Sequence, residues 1–163
     1  MFQRPYYTKI QERLGMKRKF VQVLIGPRQV GKTTLVRQLL EKYAFPWHYA
    51  SADEATQPLW LQQQWETVRL KARSAELSEA LLVIDEIQKI PDWSNQVKIH
   101  WDKDSFDHVP IKLILLGSSQ LMLLKGLSES LAGRFEVIYI PHWSYTEMHD
   151  AFGFTVDDFI WFG

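Results

Sequence analysis

The chain contains no cysteine, which excludes disulfides and thiolate metal sites. It also has no surplus of charge: 19 lysines and arginines balance 19 aspartates and glutamates. A neutral total gives no general attraction to nucleic acid or to an anionic membrane. No stretch approaches the ~20 apolar residues of a membrane span. The opening MFQRPYYTKIQERLG lacks the apolar core of a signal peptide, so the expected location is cytoplasmic. The five histidines, His48, His100, His108, His142 and His149, lack ligand-like spacing and read as ordinary surface or core residues. Internal repeats and low-complexity segments are missing too. The one basic run, Lys17 to Lys19 after Arg4, Lys9 and Arg13, has no interleaved aromatics and reads as solvated surface rather than a nucleic-acid platform.

What remains is 163 residues of apolar runs alternating with helical patterns, enough for one domain with a real core. Tyr6 to Leu14 reads as a short helix. Phe20 to Ile25, rich in β-branched residues, reads as a buried strand. After the next helix a brief strand is expected near Trp47 to Ala50, with Asp53 just past its end. Pro58 to Arg73 reads as a helix with an apolar stripe of Leu59, Leu61, Trp65, Val68 and Leu70. Leu81 to Ile84 is too short for a helix and too continuous for an edge, so it reads as a central strand of a parallel sheet. A helix opened by Pro91 follows, with Trp93, Val97 and Trp101 inward. Strands at Ile111–Leu116 and Phe135–Ile140 flank another helix. This rhythm is that of an α/β layer sandwich around a parallel sheet.

Between the first strand and the second helix lies GPRQVGKTTL. Gly26, Gly31, Lys32 and Thr33 match G-x-x-x-x-G-K-[ST], with a strand entering and a helix leaving, as a phosphate-binding loop requires. Gly26, Pro27, Arg28, Gln29, Val30, Gly31, Lys32, Thr33 and Thr34 are the candidate nucleotide-binding residues. Glycines let the backbone wrap an anion, and the helix start offers free N–H groups and a positive dipole end. Lys32 is expected on the β- and γ-phosphates and the Thr33 hydroxyl on Mg²⁺. LLVIDE then supplies Asp85 at a strand end as the second metal-binding residue, and Glu86 as the group that orients or deprotonates an attacking water. Ser118 or Ser119, at the end of the next strand, is a candidate for bonding the γ-phosphate or that water, with a plain turn as the alternative. Arg134, before the last strand, is a candidate arginine finger for a neighbouring subunit's phosphate; the alternative is a surface or ion-pairing arginine near Glu129 or Glu136.

Taken together, LIGPRQVGKTTL, LLVIDEIQKIPDW, LILLGSSQLMLLKGLSESLAGR and IPHWSYTEM resemble an AAA+ class P-loop ATPase. They are similar, more narrowly, to bacterial and archaeal ATP-binding proteins in which such a domain precedes an uncharacterised C-terminal domain. The resemblance implies a RecA-like three-layer core with strand order 5-1-4-3-2, ATP as the nucleotide, and Ser118 or Ser119 at the sensor 1 position. It also implies that residues 1–142 are the ATPase domain and 143–163 the start of a C-terminal region that is largely missing here, together with the small helical lid.

The tail, PHWSYTEMHDAFGFTVDDFIWFG, carries a capping box from Ser144 to Glu147 and a second helix start from Thr155 to Asp158. Its aromatic end is expected to need something to pack against. The leading function is therefore Mg²⁺-dependent ATP hydrolysis, with a homo-oligomer, the missing domain or another protein as possible partners. The alternative is a nucleotide-gated module binding DNA or protein with negligible hydrolysis. A small-molecule kinase is disfavoured because the LMLLKGLSESLAGR segment offers only Lys125 and Arg134 as lid cations.

Overall fold

The computed structural model describes residues 2–76, 79–118 and 120–162. Five parallel strands form one sheet in the order β2-β3-β4-β1-β5, the expected 5-1-4-3-2 read from the other edge. They are β1 (Val21–Ile25), β2 (Trp47–Ser51), β3 (Ala80–Asp85), β4 (Ile111–Gly117) and β5 (Phe135–Tyr139). Helix α1 (Tyr6–Gly15) precedes β1, helices α2 (Lys32–Leu40), α3 (Trp60–Ser74), α4 (Trp93–Phe106) and α5 (Gln120–Ser130) lie between the strands, and α6 (Tyr145–Phe152) and α7 (Val156–Phe162) follow β5.

Alternation along each strand divides the core into two layers. Val21, Val23 and Ile25 join Leu82, Ile84, Leu113 and Leu115 beneath Trp65, Val68, Trp93 and Val97 of α3 and α4. Leu24, Leu81, Val83, Ile114 and Leu116 face Ile10 of α1 and Leu35, Val36 and Leu39 of α2. Strands β1, β3 and β4 are buried at every position, as strands covered on both faces must be, whereas β2 and β5 are the half-exposed edges. The sheet is thus the middle layer of three.

Two helix details depart from the sequence reading. The buried face of α3 is Trp60, Leu61, Trp65, Val68 and Ala72, with Arg69, while Leu59 and Leu70 are each 60% exposed. A helix repeats every 3.6 residues, so Leu61, Trp65, Val68 and Ala72 share a side that Leu70 cannot reach. Helix α4 starts at Trp93 rather than Pro91, because Asp92 takes a left-handed conformation (φ 51°) that no helix can run through. The inward set Trp93, Val97 and Trp101 is as expected.

Between α3 and α4 a buried polar cluster sits beside their apolar contacts. Asp104, 1% exposed, accepts from Trp65 Nε1 at 2.6 Å and from Arg69 Nε at 2.8 Å. His100 stacks on Trp65 with ring centroids 5.0 Å apart. The basic run is not simply solvated, because Arg18 is fixed below the sheet. It donates to the carbonyls of Ile111 (2.6 Å) and Trp101 (2.9 Å), and its guanidinium lies 3.5 Å from the centroid of the Trp101 ring. Both capping boxes form: Ser144 with Glu147 on α6, and Thr155 with Asp158 on α7. No helix among the described residues is long and apolar enough to cross a membrane.

Candidate functional site

Strand register decides what meets at the carboxyl edge of the sheet. Ile25 aligns with Gly117 on one side and Tyr139 on the other, and Ser51 aligns with Asp85. The loop after β1, Asp85 and Ser118 therefore emerge side by side, at the edge where open α/β sheets bind ligands.

The loop is shaped by its neighbours. Gly26 passes under Ile140, where an added Cβ would lie 2.0 Å from that residue's carbonyl oxygen. No other residue fits without moving β5's continuation, which is tied back by Ile140 N–H to the Ile25 carbonyl at 2.7 Å. Gln29 (φ 63°) and Gly31 (φ 85°) both adopt left-handed conformations on either side of the buried Val30. Helix α2 begins directly at Lys32 with Gly31 as its cap. The Lys32 ammonium reaches back to the carbonyls of Gly26 (2.8 Å) and Pro27 (2.6 Å). Burial holds it below the ordinary lysine pKa, opposed by the nearby charges of Glu86 and Asp85.

Asp85 shares its sheet face with Leu81 and Val83, the face that α2 covers, so its carboxylate points to the start of that helix. Thr33 Oγ1 donates to Asp85 Oδ2 at 2.7 Å, and Tyr49 Oη donates to the same oxygen at 2.7 Å. Burial and this bond push the Tyr49 phenol above its usual range. The backbone N–H of Glu86 donates to Asp85 Oδ1 at 2.9 Å. Glu86 is left-handed (φ 52°), a turn that takes its side chain off the strand's alternation. Its Oε2 accepts from Ser118 Oγ at 2.9 Å and from Gln88 Nε2. Ser118 thus joins the site, while Ser119 lies outside the described residues.

Above these groups opens a cleft of about 510 Å³, lined by Arg28, Gln29 and Gly31 to Thr34 on one side and by Glu86, Lys89 and Asp53 on the other. Lys89 pairs with Asp53 across it and holds that carboxyl below its usual range. Tyr49, Gln88 and Lys89 escaped the sequence reading. Tyr49 lies two residues before Ser51 on the strand paired with β3, a signal that only the register turns into a contact. Gln88 and Lys89 were visible in DEIQK, immediately after the candidate carboxylates.

Arg134 is elsewhere. It precedes β5 at the amino edge of the sheet, where its carbonyl accepts from Val21 N–H at 2.8 Å. Its guanidinium forks onto Asp102, with Nε to Oδ1 at 2.7 Å and Nη2 to Oδ2 at 3.1 Å. Neither Glu129 nor Glu136 is its partner among the described residues, and Glu136 pairs instead with Arg13 at 2.9 Å. Arg134 is not part of its own chain's cleft. No cluster of three or more His, Cys, Asp or Glu suited to a metal occurs among the described residues.

Comparison with known proteins agrees with this geometry. A family model described as AAA domain, AAA_14, matches residues 18–149, from the foot of β1 into α6. Two uncharacterized mycobacterial proteins, Rv2008c of Mycobacterium tuberculosis and Mb2031c of Mycobacterium bovis, are each 36% identical over 128 residues. That match takes in 77% of this chain and 26% of each relative, so the chain aligns with about a quarter of the curated relatives it matches. With its sheet order, its phosphate-type loop and the residues matched, the chain belongs to the AAA_14 family of AAA domains, P-loop proteins of the nucleotide-binding type.

Proposed function

We propose that this domain binds ATP with Mg²⁺ and hydrolyses it. The observation that carries the reading is the 2.7 Å bond between Thr33 Oγ1 and Asp85 Oδ2, with Glu86 and Ser118 bonded to each other beside it. Two hard oxygen donors at a helix start suit Mg²⁺, which takes its remaining ligands from phosphate and water. When bound, the ion supplies charge neutralisation on the transferring phosphoryl group. Lys32 exchanges the carbonyls of its own loop for phosphate oxygens, and the N–H groups of Gly31 to Thr34 hold the β-phosphate. Glu86 orients the attacking water and accepts its proton, with Ser118 fixing that carboxylate. The adenine preference comes from the family resemblance.

Arg134 can serve only a nucleotide held by another copy, because its own cleft is at the opposite sheet edge. We read residues 1–142 as the ATPase domain and 143–163 as the beginning of a further region. The nucleotide-gated binding reading is favoured by one observation. Ile160, Trp161 and Phe162 are 68%, 78% and 79% exposed on α7, an apolar end suited to a protein partner. DNA is the weaker partner, since Arg18 of the basic run is committed to the fold.

The test is steady-state Mg·ATP hydrolysis over a hundredfold range of protein concentration, with Glu86→Gln alongside. The variant should keep nucleotide affinity while turnover falls ~10²- to 10⁴-fold, the range of a general base. Equal turnover removes the role assigned to Glu86. Specific activity that rises with concentration supports a shared site and Arg134 in trans; a negligible flat rate with intact binding favours the gated module.

A further inference from the structure

Arg4 belongs to none of the motifs, yet it is 4% exposed and reaches the phosphate loop from behind. Its guanidinium forks onto Glu147, with Nε to Oε1 at 2.7 Å and Nη2 to Oε2 at 3.0 Å. Nη1 donates to the Val30 carbonyl at 2.8 Å, and further bonds of 3.2 to 3.4 Å reach the carbonyls of Pro141 and His142. The rings of Tyr6 and Trp143 lie 5.2 and 4.9 Å from its Cζ. Glu147 is also the capping residue of α6, accepting from Ser144 N–H at 2.9 Å. One carboxylate therefore closes the first turn of α6 and holds the arginine that holds the loop.

The carbonyl that Arg4 grips decides the consequence. Val30 sits between two left-handed residues, Gln29 and Gly31, and such a backbone persists only where its surroundings over-determine it. In a trans peptide the C=O and the following N–H point in opposite directions. Gripping the Val30 carbonyl thus turns the Gly31 N–H away from Arg4, and Gly31 lines the cleft.

We propose that Arg4 and Glu147 form a clasp that positions the Gly31 amide for a nucleotide phosphate, coupling nucleotide affinity to the first turn of α6 alone. The proposal rests on the phosphate-binding reading of Gly26 to Thr34. Arg4 is a positioning residue that acts through the Val30–Gly31 peptide. Coupling of this kind is reciprocal: a bound phosphate tightens the clasp, and the clasp fixes the first turn of α6. It gives the cleft a physical route to the helices after β5.

The test is calorimetric titration with Mg·ADP of the wild-type chain, Glu147→Gln and Gly153→Ala, with amide exchange at Gly31 and Lys32 measured without nucleotide. Glu147→Gln removes the charge from the fork and should weaken Mg·ADP about tenfold, the scale of one hydrogen bond to a charged group, and speed exchange at Gly31. Gly153→Ala strains the other end of α6, where φ is 72°, and should leave the dissociation constant within about twofold, since it touches no part of the clasp. Arg4→Lys keeps the charge, loses the fork and should match Glu147→Gln, which covers the case that Glu147→Gln fails to fold. Unchanged affinity and exchange in both clasp variants overturns the proposal, as does an equal loss in Gly153→Ala. If the wild-type chain binds no Mg·ADP, the phosphate reading has failed, and exchange at Gly31 alone decides the clasp.

Discussion

Two buried polar clusters lie on this sheet, and they differ in how their bonds can be exchanged. Between α3 and α4, Asp104 is enclosed by Trp65 and Arg69 with 1% of its surface exposed, and every bond it makes is to a fixed element. At the carboxyl edge, Lys32 bonds to carbonyls of its own loop, and Asp85 and Glu86 bond to hydroxyls and amides beside an open cleft that Lys32, Thr33 and Glu86 line. The first cluster fixes how two helices pack. The second stores the same kinds of group where a ligand can take over their partners. Substitutions in the first should therefore change stability and leave affinity per folded molecule alone, and substitutions in the second should do the reverse.

The largest effect on stability is expected from Asp104→Ala. It strands the Arg69 charge and the Trp65 N–H in a buried site, costing about 3–5 kcal/mol, the range for breaking one side of a buried pair. Denaturant unfolding should show it, and nucleotide affinity below the transition should be unchanged. Lys32→Ala is the converse. It should lose at least about tenfold in Mg·ATP affinity, since a charge-assisted phosphate contact is removed, while its unfolding midpoint moves little. A variant that unfolds as readily as Asp104→Ala would erase the contrast.

Those two clusters were not equally legible in the sequence. The loop and its carboxylates were readable because each is a short contiguous motif whose flanking runs identify strand and helix, and a strand's period of two aims Asp85 at α2. The α3–α4 cluster was invisible: Asp104, Arg69 and Trp65 are 35 or more residues apart across the two helices, and nothing local marks them as partners. The same limit hid the Tyr49 bond to Asp85 and the Arg134 pairing with Asp102. The misplaced Leu59 and Leu70 have a different cause, since apolar residues at rough helical spacing do not fix the phase of the buried face.

Three smaller effects sharpen the comparison. Burial and the Arg69 charge hold the His100 imidazole below its ordinary pKa of 6.5. The unfolded chain then takes up that proton first, so stability should be full above about pH 6.5 and fall as pH drops below it. The Arg4 fork, by contrast, holds Glu147 below the ordinary 4.5, so its contribution is full above that pH and is lost on further acidification. Thermal unfolding from pH 7.5 to 4 should show a first decline that His100→Gln flattens. Smallest of all, Tyr49→Phe removes one hydroxyl from Asp85 at about 1 kcal/mol, a Tm decrease of roughly 2–4 °C for a chain of this size. A much larger drop would place Tyr49 with the fixed cluster instead.

The central claim is that the cleft at the carboxyl edge is a metal-nucleotide site. Calorimetric titration of ATP into the wild-type chain and Lys32→Ala, each with Mg²⁺ and with EDTA, tests it most directly. The account predicts saturable one-site binding that weakens without Mg²⁺ and is largely lost in Lys32→Ala. Absence of binding, or binding indifferent to both the metal and the lysine, would contradict it.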